Sequence, residues 1–212
     1  MASRRIIYWD VDDVVLNTSE TVIQLINDDY RTPNNISRKE IKDLKDWKMK
    51  SIYRPLEEEY IWEALESQRF WEYVRFNTGF IKLISSPISK SFQHYFITVG
   101  TDANLQIKNQ ILCKNLQYVL DLKEDYEFIG LPPHTEKHII NMAEGIQVDD
   151  NLRNLTKTNA TIKILLKNNI ETDYNVYSKF RDDSINNLYE VNTLNEVADI
   201  LEFILRYPEV ML

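Results

Sequence analysis

The run Ile6-Ile7-Tyr8-Trp9-Asp10-Val11-Asp12-Asp13-Val14-Val15 constrains this chain more than any other segment. Apolar, β-prone residues lead straight into two carboxylates one residue apart, and apolar residues follow. A lone charge at the end of a buried strand is costly unless it is paired or holds a metal ion. In open α/β sheets, ligands bind outside the carboxyl ends of the strands. Alternate residues of an extended backbone project the same way, so Asp10 and Asp12 are expected to face one crevice. The competing reading is an acidic loop after an edge strand.

The remaining segments alternate in the same style. Strand patterns cover residues 5–11, 94–98, 126–130, 145–149 and 161–166. Helical spacing is found over 19–30, 55–73, 103–116 and 194–205, with a shorter helix over 37–44. Capping-box pairs, Ser37 with Glu40 and Thr193 with Glu196, mark two of the helix starts. Short apolar strands separated by helices predict the α/β class: a Rossmann-like three-layer core around a mostly parallel, five-stranded sheet. The block between the first two strands is too long for a simple crossover and predicts an inserted helical cap. On this reading residues 1–16 and 87–212 form the core, and 17–86 the cap.

Composition narrows the partners. A chain of 212 residues suits one domain or a domain with an insertion, and 43% apolar with 27% charged residues is a globular balance. A net charge of −8 argues against binding a nucleic acid polymer, which relies on Lys and Arg at the phosphates. It leaves room for a small phosphate, because a bound cation inverts the local field. Cys113 is the single cysteine, so no intrachain disulfide forms; it reads as a small packed residue in a helix. No apolar run reaches the roughly 20 residues that span a bilayer, and the first residues lead into a strand. The expectation is a cytoplasmic protein without a membrane partner. A homodimer is compatible with the sequence, which does not demand one.

Chemistry-bearing groups recur at strand ends: Asp10 and Asp12 after the first, Thr98 after the second, Lys137 before the fourth, and Asp149-Asp150 after the fourth. Thr101 competes with Thr98. Asp13 reads as a turn or supporting residue, and His94, His134 and His138 lack metal-ligand spacing. In this order the groups resemble the motifs of the haloacid dehalogenase superfamily of phosphohydrolases. The resemblance implies a C1-type cap and Asp10 as a nucleophile that forms an aspartyl-phosphate. Asp12 is implied as general acid and then base, for which it must gain a proton through burial or nearby negative charge. Thr98 is implied to donate to the phosphoryl oxygens, and Lys137 to neutralise them and orient Asp10. Mg²⁺ is the implied cofactor, held by Asp10, the Asp12 carbonyl and the Asp149-Asp150 pair, with Asp150 favoured as the direct ligand and Asp149 as a direct or water-mediated partner.

Within that superfamily the chain is most similar to the 5'(3')-deoxyribonucleotidases. The segment ending at Trp47, the pair Phe70-Trp71 ahead of Thr78-Gly79-Phe80, the run Val148-Asp149-Asp150-Asn151 and Tyr174-Asn175 carry this likeness. It departs at Asp13, where many relatives have glycine, and at Val99-Gly100, where they have Ser-Pro. The implied substrate is a nucleoside monophosphate, its base stacked on Trp47, Phe70 or Trp71 at about 1–3 kcal/mol per base. Aromatic residues at helical spacing otherwise belong to a core. Two alternatives stand beside it: a phosphatase of sugar phosphates or other small phosphoesters, and a phosphate-binding module without turnover.

Overall fold

A computed structural model describes residues 4–29, 37–44, 58–167 and 186–211. Its framework is one sheet in the order β3-β2-β1-β4-β5-β6, every neighbouring pair parallel. The strands are β1 (Arg5–Asp10), β2 (Phe92–Val99), β3 (Tyr126–Leu131), β4 (Ile146–Asp149), β5 (Ile162–Leu166) and β6 (Leu188–Val191). Among the described residues the sheet therefore has six strands, not the five expected from the sequence. β6 has only four residues, three of them half-buried, so it lacks the apolar run that marks its neighbours.

β1 lies at the centre because both its faces can be buried. Ile7 and Trp9 enter one apolar cluster with Phe92, Phe96, Ile146 and Ile164, and Tyr8 enters a second with Ile97, Leu131 and Met142. Strands run outward from β1 through β2 to β3 and, in the other direction, from β4 to β6. The order thus reverses between β1 and β4, and at such a switch point the strand ends leave a crevice.

The helices are α1 (Thr18–Asp29), α2 (Glu58–Glu66), α3 (Gln68–Tyr73), α4 (Phe80–Ile84), α5 (Asp102–Leu116), α6 (Leu152–Lys157) and α7 (Leu194–Arg206). The long helix expected over 55–73 is broken in two at Ser67. Its hydroxyl donates to the Ala64 carbonyl at 2.8 Å, and its oxygen accepts the Phe70 N–H at 3.1 Å, capping α3. Of the 37–44 helix, a single 3₁₀ turn forms at Ile41–Asp43. Its box is Glu40 with Asp43, one turn later than the Ser37–Glu40 pair. Thr193 caps α7 as expected, accepting the Glu196 N–H at 3.3 Å. α1 packs against α2 and α3, while α4 packs against α7 and sets Phe80 edge-on to Trp9. Cys113 is half-buried, its thiol 3.4 Å from Asn109 Oδ1. Among the described residues no helix is long and apolar enough to cross a membrane.

One buried polar network sits inside this core. Trp9 Nε1 donates to His94 Nδ1 at 3.0 Å, which leaves the proton of a neutral ring on Nε2, 3.0 Å from the Ser89 carbonyl. Burial pushes His94 down to about 4 from an ordinary 6.5. Unfolding frees it to take a proton, so stability that it holds above pH 6.5 is lost as the pH falls toward 4, by up to about 3 kcal/mol. Urea unfolding of the wild type and of His94→Gln across this range is expected to show the wild-type advantage shrinking as the pH falls. A constant difference would rule the histidine out. The comparison with the variant removes the contribution of other titrating groups.

Candidate active site

The switch point gathers the chemistry. One step beyond the paired Trp9 and Val148, β1 ends in Asp10 and β4 in Asp149, side by side. Ligand oxygens of Asp10, Asp149 and Asp150 lie within 4.8 Å of one another, all three residues buried. The Lys137 ammonium pairs with Asp10 and stands 3.2 Å from Asp149 Oδ2. Burial alone would lower Lys137, but the two carboxylates outweigh it and hold the lysine above its usual range.

The two members of the Asp149-Asp150 pair have different surroundings. Asp149 accepts from Gln147 Nε2 at 3.1 Å, from the Asn151 N–H at 2.9 Å and from Asn154 Nδ2 at 3.1 Å on each oxygen. With Lys137 added, both oxygens are occupied. Among the described residues no side chain donates to Asp150. Toward the described residues its acceptors stay free, which fits a direct metal ligand.

β1 stops at Asp10, so strand alternation does not extend to Asp12, and the two aspartates do not share one set of partners. Asp12 Oδ1 accepts the Thr18 hydroxyl at 2.8 Å; Oδ2 accepts the Thr98 hydroxyl at 2.9 Å and the Lys108 ammonium at 2.6 Å. Lys108 is also 2.8 Å from Thr98 Oγ1. Desolvation would raise Asp12, but Lys108 outweighs it and holds the carboxyl below its ordinary value. Sequence reasoning expected an environment that would protonate Asp12; here it is ionised. The Thr98 proton, expected at a phosphoryl oxygen, goes to Asp12. Thr101, the rival of Thr98, is exposed at the start of α5 and donates to Glu66 at 3.3 Å.

Lys108 was missed. It lies in a helix where a solvated lysine is the default expectation, yet it is buried. The signal was present: Lys108, Leu112 and Leu116 recur every four residues and form one buried stripe.

Asp13 takes the positive φ of 58° that favours glycine, a conformation aspartate tolerates better than most residues. Its carboxylate accepts the Ser19 N–H at 2.7 Å, tying the turn to the first residues of α1. Burial pushes it up to about 6. His134 and His138 are at the surface and His94 is in the core. Of the aromatic candidates, Phe70 is sealed in the core at 1% exposure, edge-on to Trp71, so its ring faces protein. Trp71 is half-buried, and its Nε1 has no hydrogen-bond partner among the described residues. Trp47, Tyr174 and Asn175 lie outside the described residues.

Four carboxylates, Asp10, Asp12, Asp149 and Asp150, thus share this edge with two ammonium groups. Burial pushes Asp10 and Asp150 far above the ordinary carboxylate range, with neighbouring aspartates adding to the rise. The surplus negative charge, its all-oxygen donors and the open Asp150 fit a hard divalent cation such as Mg²⁺.

In fold the chain is similar to solved structures described as phosphatases and HAD-type hydrolases. A predicted phosphatase from Clostridium acetobutylicum superposes with a TM-score of 0.56 over 95% of this chain and 100% of its own, at 16% identity. CbbY from Rhodobacter sphaeroides, solved in complex with phosphate, gives 0.54 over 92% and 96%, at 14% identity. YfnB from Bacillus subtilis, described as a HAD-type hydrolase and bound to magnesium, gives 0.54 over 93% and 98%, also at 14%. At these identities the likeness is one of fold. No protein-family model matches the chain, and no curated protein does.

Without metal, burying Asp150 beside Asp10 and Asp149 disfavours its charged form and works against folding at neutral pH. Asp150→Asn is expected to stabilise the metal-free protein by about 1 kcal/mol and to abolish the rise in melting temperature that millimolar Mg²⁺ gives the wild type. Calorimetry with and without Mg²⁺ measures both, and an unchanged Mg²⁺ shift would remove Asp150 from the ligand set.

Proposed function

We propose that this protein is a Mg²⁺-dependent phosphatase of small phosphomonoesters, working through an aspartyl-phosphate. The observation that carries the reading is the division of the aspartates between two lysines, Asp10 with Lys137 and Asp12 with Lys108, beside an acidic cluster suited to a cation. Asp10, the Asp12 carbonyl and Asp150 would hold Mg²⁺, with Asp149 as the residue that orients Lys137. Bound there, the cation would offset the repulsion between a phosphate dianion and the attacking carboxylate. The helical segment 17–86 is proposed as the cap over the site.

In the first half-reaction an Asp10 oxygen attacks phosphorus while the ester oxygen departs and takes a proton from Asp12. Lys137 neutralises charge at Asp10 and at the phosphoryl group. Asp12 is ionised in the free protein, and an arriving dianion raises it, opposing Lys108. In the second half Asp12 removes a proton from water, whose oxygen attacks phosphorus. The phosphorus–Asp10 bond breaks, releasing phosphate and restoring the carboxylate. An acid/base Asp12 serves no purpose in a module that only binds phosphate.

Sugar phosphates and similar small esters suit the site better than nucleotides. The base-stacking part of the nucleotide reading named Trp47, Phe70 and Trp71; Phe70 is in the core, which leaves Trp71 as the half-buried candidate among the described residues. The neighbours' bound phosphate and magnesium support the chemistry and are silent on the base.

Phosphate release from a panel of sugar phosphates, other small phosphoesters and nucleoside monophosphates is the test. Turnover is expected on the small esters, lost with EDTA and lost essentially completely in Asp10→Asn. Turnover confined to nucleotides would return the substrate to that class; none with any ester would reject the enzyme.

A further inference from the structure

Resting on the phosphatase reading, we propose that Lys108 is the positioning residue for Asp12: with Thr98 and Thr18 it holds the carboxylate in the single orientation in which it exchanges a proton with the departing oxygen and then with water. The three donors come from three different elements. Thr18 begins α1 and fixes Oδ1; Thr98 ends β2 and Lys108 lies within α5, and together they fix Oδ2. The contact of Lys108 with Thr98 at 2.8 Å closes a triangle, so neither donor can move without disturbing the other. Thr98 donates its only proton within this triangle.

Fold stability alone does not call for the Lys108–Asp12 pair at this position. The neighbours of Lys108 on the stripe are Leu112 and Leu116, fully buried, and an apolar side chain would continue their packing. Replacing both members of a buried ion pair by apolar groups is often neutral or stabilising, whereas removing one alone destabilises. Nor does charge balance at the proposed metal site require it, because Lys108 contacts neither Asp10 nor the Asp149-Asp150 pair, which Lys137 serves. What Lys108 touches is the group assigned to proton transfer and the threonine that shares it. A mobile Asp12 costs most when the leaving group cannot depart without a proton.

Lys108→Met keeps the stem and removes the ammonium. On alkyl phosphates its kcat is expected to fall roughly 100-fold, the scale of general acid–base catalysis, with KM within about threefold of wild type. On p-nitrophenyl phosphate, whose phenolate leaves unaided, the loss is expected to be several-fold at most. Equal losses on both esters, a rise in KM with kcat unchanged, or no loss would each overturn the proposal. A crystal structure of the variant supplies a readout independent of turnover: Asp12 is expected to leave its contacts with Thr98 and Thr18, and an unmoved carboxylate would refute the positioning role. Should the wild type hydrolyse no ester, the phosphatase reading fails, and this crystallographic arm still decides what Lys108 does. Lys108→Gln, a donor of shorter reach, enters the same measurements if the methionine variant does not fold.

Discussion

Everything at the functional end of this molecule follows from like charge confined in a small dry volume. Acidic side chains from the first and fourth strands meet where water cannot screen them, and two lysines cannot balance them. Each lysine arrives from outside the sheet, Lys137 from a 3₁₀ turn and Lys108 from α5. They divide the carboxylates instead of sharing them. The division separates a group suited to attack from one suited to moving protons, although the two are neighbours in sequence.

The sheet makes this confinement bearable. Because its order reverses between β1 and β4, the ends of those strands form an open seam, and the charge accumulates there and not within a packed face. Asn154 and Asn151, at the start of α6, spread their donors over Asp149. Thr18 and Ser19, at the start of α1, do the same for Asp12 and Asp13. The first turns of two helices thus answer the acidic strand ends with hydrogen-bond donors, in line with the preference of helix N-termini for negative charge.

Much of this was legible in the sequence, for identifiable reasons. Asp10, Thr98, Lys137 and Asp149-Asp150 each stand at the end or the approach of a strong apolar strand, and strand patterns locate such ends well. The parallel sheet followed from strands alternating with helices. Lys108 was hidden because a helix offers a lysine two plausible faces, and only its register with Leu112 and Leu116 distinguishes them. β6 was hidden because an edge strand of four half-covered residues carries little apolar signal. The partners of Asp12 were hidden for a more local reason: the strand ends one residue early, at Asp10, and a turn carries Asp12 to Thr18, Thr98 and Lys108. Phe70 shows the reverse, since a large aromatic residue meets the demands of a core as readily as those of a ligand wall.

The central place of β1 has a consequence in time. Its hydrogen-bonded neighbours lie far along the chain: Ile7 pairs with His94 on one side and with Ile146 on the other. During synthesis the first strand emerges long before either partner exists, and contacts of such sequence separation form slowly because chain must be looped before they are gained. One side of β1 therefore lacks a partner until residues 92–97 are made, and the other until residues 146–148 are. The strand that carries the proposed nucleophile precedes both of its partners in the chain and is enclosed only when the fourth strand arrives.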